Sequence, residues 1–175
     1  MIVIIIMIII LSFKKKKLPF GQVPYMEHET IAIAQSGAIA RYIAKLGGLN
    51  GSNDSEFAKS EMLLGETDDL MTGMTKCMYT EGKDKNTCFD EYFAGPWKVQ
   101  MGCLEKLIPD GEKYFIPGAT RCAGGYGIAC ACEIALSLQP DCLDAFPKVK
   151  AFAEEMIASP AMEGLKDWSN YITRA

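Results

Sequence analysis

Histidine is almost missing from this chain: His28 is the only one among 175 residues. The cysteines at 77, 88, 103, 122, 130, 132 and 142 contain no C-x-x-C pair that could join it as a ligand set. Zinc is therefore excluded as an organising element, and no metal is expected. Positive charge is not in excess either. Lys and Arg number 18 against 22 Asp and Glu, a net charge of −4. That leaves none of the basic footprint nucleic-acid binding needs, so nucleic acid is excluded as a partner. The longest apolar run, Ile2 to Phe13, falls short of the roughly twenty residues that span a bilayer comfortably. It also lacks the positive n-region and small-residue cleavage site of a signal peptide.

With 49% apolar residues, the chain can bury one or two small cores. Cysteines in odd number and without a framework read as reduced thiols, which places the protein in the cytoplasm. Asn50-Gly-Ser52 and Asn53-Asp-Ser55 match the glycosylation sequon, which matters only in a secreted chain. Residues 1–17 are atypical, an isoleucine-rich run followed by Lys14 to Lys17. They fit a buried parallel strand. A signal-anchor with cytoplasmic lysines, giving a membrane-associated protein, stays open beside it, as does a start outside the true reading frame.

Two short motifs carry most of the functional information. Leu18-Pro-Phe-Gly-Gln-Val-Pro24 places a Val-Pro step between extended runs, a good candidate for a cis peptide. A strand carried through such a proline exposes backbone groups that can pair with an extended peptide. Gln35-Ser36 then stands where a helix begins, with Ser36 as the expected N-cap. The free N–H groups and dipole of that first turn favour a carboxylate. Together the motifs describe a pocket for a small acidic peptide.

On these residues the chain resembles the glutathione transferases, and most of all the sigma class with its S-crystallins. Thr67-Asp-Asp-Leu-Met71, Gln139-Pro-Asp-Cys-Leu-Asp144, Phe146-Pro-Lys-Val-Lys150 and Ser159-Pro-Ala161 follow that family's order and spacing. The resemblance implies an α/β plus all-α architecture. A partial thioredoxin-like domain would occupy 18–49 and an all-helical domain 54–175. It also implies a βαβ unit ahead of the proline loop, and such a unit needs about thirty residues. Residues 1–17 cannot supply one, so the chain is read as truncated at its N-terminus. No tyrosine precedes Tyr25, and counterparts of the catalytic tyrosine and of the arginine on the first helix are not found.

The remaining site residues follow from the same resemblance. Val23 would pair through its backbone with the cysteinyl unit of glutathione, Pro24 would orient it, and Gln22 would reach the ligand. Gln35 and Ser36 would bind the γ-glutamyl carboxylate and amine, and Lys15 the glycyl carboxylate. Asp69 would reach the site of a neighbouring subunit in a homodimer. Taken alone, Gln35-Ser36 is also an ordinary helix cap, Lys15 a solvated charge, and Asp68-Asp69 an exposed helix face.

Periodicity supplies the expected elements. Tyr25 to Ile33 reads as a hairpin around His28-Glu29, with His28 a solvated turn residue. A helix over Ser36–Leu46 carries Ile39, Ile43 and Leu46 on one face and stops at Gly47-Gly48. Helices are expected over Glu56–Tyr79, over Asp90–Ile108 with a kink or start at Pro96, over Gly127–Leu138, over Pro147–Ala158 and over Ala161–Tyr171. The family's Ser/Thr-x-x-Asp capping box is replaced by Cys122-Ala-Gly-Gly125, a loss of about 1 kcal/mol or more. The resemblance implies attack of the glutathione thiolate on a small-molecule electrophile, or a glutathione-dependent isomerisation, with the activating group absent. Two alternatives remain: a non-catalytic binding or structural protein like the S-crystallins, and a membrane-tethered helical module.

Overall fold

The computed structural model describes residues 18–118 and 121–163. The expectations for the apolar run, for Lys15 and for most of the helix at 161–171 lie outside the described residues. The chain divides between Asn50 and Gly51 into two compact units.

In the first unit, β1 (Tyr25–His28) and β2 (Ile31–Ala34) pair antiparallel, with Tyr25 opposite Ala34 and His28 opposite Ile31. Glu29 and Thr30 make the turn, with Glu29 in the left-handed region at φ 52. His28 therefore ends β1 instead of making the turn, and its Nδ1 lies 2.9 Å from the Tyr42 hydroxyl on the following helix. That helix, α1 (Ser36–Leu46), buries Ile39 and Ala44. Leu46, expected on the buried face, is 49% exposed. It is the last helical residue, and Gly47 and Gly48 turn the chain away just beyond it. Gly48, at φ 67, closes the helix with two hydrogen bonds: Leu49 N–H to the Ala44 carbonyl at 2.8 Å and Gly48 N–H to Lys45 at 3.3 Å. This is a Schellman cap, and its left-handed position suits glycine.

The second unit holds five helices among the described residues: α2 (Asp54–Met78), α3 (Lys85–Ala94), α4 (Pro96–Leu107), α5 (Ala123–Leu138) and α6 (Pro147–Ile157). α2 starts inside the polar Asn50–Ser55 stretch. The Asn53 side chain accepts from Glu56 N–H at 3.0 Å, and the Glu56 carboxylate accepts from Ser52 N–H at 2.7 Å. α3 starts at Lys85, earlier than its apolar pattern suggests, because Asp84 caps it through Thr87 N–H at 2.8 Å. The long helix expected over 90–108 is broken at Gly95, and Pro96 opens α4. Leu70 and Met74 of α2, Phe89 and Phe93 of α3, Trp97 and Met101 of α4, Ile128 of α5 and Val149 of α6 meet in one core. Fully buried Trp97 satisfies its indole N–H on the Cys142 carbonyl at 3.1 Å.

α5 begins at Ala123, four residues before its expected start at Gly127. The missing capping box is replaced from two sides. Cys122 Sγ accepts from Gly125 N–H at 3.3 Å, and Ser60 Oγ on α2 accepts from Gly124 N–H at 3.1 Å. The glycines themselves are contact residues. A Cβ on Gly124 would lie 2.3 Å from the Ser60 carbonyl oxygen, and one on Gly127 would lie 2.5 Å from Thr67 Oγ1. Their helix-propensity cost is thus offset by the close approach of α2 and α5.

The reading of all seven cysteines as reduced thiols is corrected. Cys77 at the end of α2 and Cys88 in α3 form a disulfide, while Cys103, Cys122, Cys130, Cys132 and Cys142 are free. Burial pushes the Cys130 thiol up to about 11 and the Cys142 thiol up to about 12, which leaves both protonated and unreactive near neutrality.

Candidate functional site

The hairpin register joins the two halves of the candidate site. Because Tyr25 pairs with Ala34, the residues just outside that pair, Pro24 and Gln35, leave the hairpin at the same end. The Val23–Pro24 peptide is cis, and Val23 is 69% exposed. Gln22, Gln35 and Ser36 are exposed as well. Among the described residues their side chains make no hydrogen bond, so all three have free polar groups.

Ser36 does not cap α1 as expected. Gln35 occupies the N-cap position at φ 78 and ψ 123, and Ser36 is the first helical residue. The carbonyl of Gln35 accepts from Ile39 N–H at 2.9 Å and starts the helical ladder. The amides of Ser36, Gly37 and Ala38 precede it, and no acidic residue stands in the first turn. The positive end of α1 is thus open to an anion, with the Ser36 hydroxyl unspent on its own helix. A non-glycine residue at positive φ, placed beside such an anion site, is typical of functional positions.

Asp69, expected to serve a neighbouring subunit, is exposed on α2 in the second unit. Next to it stands Glu66, whose pKa is raised first by burial and then by the Asp69 charge. Its Oε1 is buried without a partner among the described residues. Tyr25, the first tyrosine of the chain, donates its hydroxyl to Glu27 Oε1 at 2.9 Å, and this bond raises its pKa. That bond lies at the surface, and in it the phenol proton is directed at Glu27. Among the described residues, no group of three or more His, Cys, Asp and Glu could hold a metal ion. No described helix is long and apolar enough to cross a membrane.

Residues 12–45 match the family "Glutathione S-transferase, N-terminal domain". The chain is 35% identical over 149 residues to the "Glutathione S-transferase P" of Caenorhabditis elegans, covering 83% of this chain and 70% of that one. The chain belongs to the glutathione S-transferase family. It is also 30% identical to the "Hematopoietic prostaglandin D synthase" of Gallus gallus, over 85% of this chain and 73% of that protein. The Pi-class glutathione S-transferase of Onchocerca volvulus superposes with a TM-score of 0.78 at 26% identity, covering 90% of this chain and 75% of that one. The glutathione S-transferase fold accounts for both units. The hairpin and α1 belong to the thioredoxin-like N-terminal domain, and α2 to α6 to the helical domain.

Several contacts in this transferase fold left no sequence signal. Ser60 and Gly124 are too far apart in the chain to be read together, and ten residues between two cysteines predict no bond. The cap at Asn53 had a signal in its Asn-x-x-Glu spacing.

Proposed function

We propose that this chain binds glutathione at the open end of the hairpin. Val23 offers its exposed backbone to the cysteinyl unit, with Pro24 orienting it and Gln22 alongside. Gln35 and Ser36, at the N-terminus of α1, take the γ-glutamyl carboxylate. Lys15 takes the glycyl carboxylate. The observation that carries this reading is the Tyr25–Ala34 pair, which sets the proline loop and the α1 N-terminus at one end of the hairpin.

The proposed assembly is a cytoplasmic, sigma-like homodimer with domains over 18–49 and 54–175, in which Asp69 reaches the partner's site. The proposed chemistry is attack of the glutathione thiolate on a small-molecule electrophile, slow because among the described residues no tyrosine hydroxyl is placed to lower the thiol pKa. The bond from Tyr25 to Glu27 favours a second reading, that of a binding protein with little turnover. Sequencing the transcript's 5′ end tests whether a βαβ unit precedes Leu18.

Affinity for glutathione, measured by calorimetry on the native chain and on Ser36→Ala, tests the site. Losing the hydroxyl should weaken binding about 3- to 10-fold. Equal affinity of the two chains, or no binding by either, overturns the assignment.

A further inference from the structure

Cys77 lies in the last turn of α2 and Cys88 in the first turns of α3, and their disulfide spans a Cα–Cα distance of 5.3 Å. Cys77 is buried, whereas Cys88 is only half-buried. Residues 79–84 loop between the helices, with Tyr79 76% exposed and Gly82 at φ 74. One turn further into the contact, Tyr92 lies against Gly73, where a Cβ would stand 2.3 Å from its ring. Its hydroxyl donates to the Leu70 carbonyl at 3.1 Å. The α2–α3 contact is therefore held independently at its inner end, and the disulfide closes only its outer end.

We propose that Cys77–Cys88 is a redox-controlled clamp on the α2–α3 turn, opened by small thiols such as glutathione that attack Cys88. Cys88 is the less buried of the two residues, so the attack is directed at its sulfur. A glutathione thiolate attacks Cys88 Sγ and forms a mixed disulfide. The protein S–S bond breaks with its electron pair on Cys77 Sγ, which takes a proton from water. A second glutathione thiolate attacks the glutathione sulfur of the mixed disulfide, releasing oxidised glutathione and the Cys88 thiolate, which is protonated. Two glutathione thiols are oxidised and one protein disulfide is reduced. Oxidised glutathione reverses both steps. Glutathione acts here as a thiol from solution, independently of the site around Ser36. Opening releases the turn at 79–84, while Tyr92 keeps the helices in register.

The test uses the full chain. Without reductant, alkylation in denaturant should modify Cys103, Cys122, Cys130, Cys132 and Cys142 and spare Cys77 and Cys88. After reduced glutathione, or dithiothreitol as a control, all seven should be modified. Acid quenching early in the glutathione reaction should trap a glutathionyl group on the Cys88 peptide. Reduction should speed proteolysis within 79–84 and lower Tm by roughly 5–15 °C, with the rest of the chain resisting protease. A Cys77→Ser/Cys88→Ser variant should behave as the reduced protein in either redox state. If that variant does not fold, reduction of the native chain gives the same comparison. Seven alkylated cysteines before any thiol is added, an adduct on Cys77, or proteolysis indifferent to reduction each overturns the proposal.

Discussion

Ser60 on α2 accepts a hydrogen bond from Gly124 N–H at the start of α5, at 3.1 Å. The bond lies in the interior, where an amide left without a partner carries its full desolvation cost. Ser60→Ala should therefore destabilise the protein by about 1–3 kcal/mol, read from urea unfolding at unchanged m-value. A loss under a few tenths of a kcal/mol would mean that water or a backbone shift replaces the hydroxyl.

Gly124 and Gly125 are adjacent but should respond to alanine with opposite sign. At Gly124 the new methyl meets α2 backbone at 2.3 Å, so Gly124→Ala forces the helices apart at a cost of about 1–3 kcal/mol or more. At Gly125 the nearest atom is Cys122 Sγ at 3.5 Å, an ordinary contact. Gly125→Ala should gain up to about 1 kcal/mol of helix propensity. Thermal melts of the two variants check the sign directly.

Glu105 on α4 caps α6, accepting from Lys148 N–H at 3.0 Å and Val149 N–H at 2.9 Å, where Phe146 offers no side-chain cap. Glu105→Ala should lower stability by about 1–2 kcal/mol. Hydrogen exchange should show it first in α6. Protection lost evenly along the chain would contradict a local cap.

The pH dependence should carry the mark of Glu66. Burial first and Asp69 second raise its folded-state pKa above the ordinary carboxylate value. The native state then holds the proton more tightly than the unfolded chain. This contribution is fully present below the ordinary pKa and is lost as pH rises through the raised one. Glu66→Gln should flatten that fall and leave the protein at least as stable as the parent near neutrality. Urea midpoints at intervals from pH 4 to 8, on parent and variant, separate the two curves.

Cys122 should improve as a cap when its sulfur becomes oxygen. Thiols are weak acceptors, whereas serine is a preferred N-cap. Cys122→Ser should therefore stabilise α5 by about 0.5–1 kcal/mol, visible as a higher urea midpoint. A lower midpoint would show that apolar contact of the sulfur outweighs its role as acceptor.

The sequence alone determined what depends on near neighbours. The span of α1, the cap at Gly47-Gly48, the break at Pro96 and the start of α6 at Pro147 follow from local backbone chemistry, which acts within one or two turns. The cis step at Val23-Pro24 was legible for the same reason. Tertiary structure decided what depends on groups far apart in the chain. It set Ser60 of α2 against Gly124 of α5. It turned the apparent weakness at Cys122-Ala-Gly-Gly125 into a close contact with Ser60, and it joined Cys77 to Cys88. A glycine reads as a defect until the helix that needs its missing Cβ is in place. A cysteine reads as free until another lies within bonding reach. Such outcomes depend on distances through space, which only packing the helices together sets.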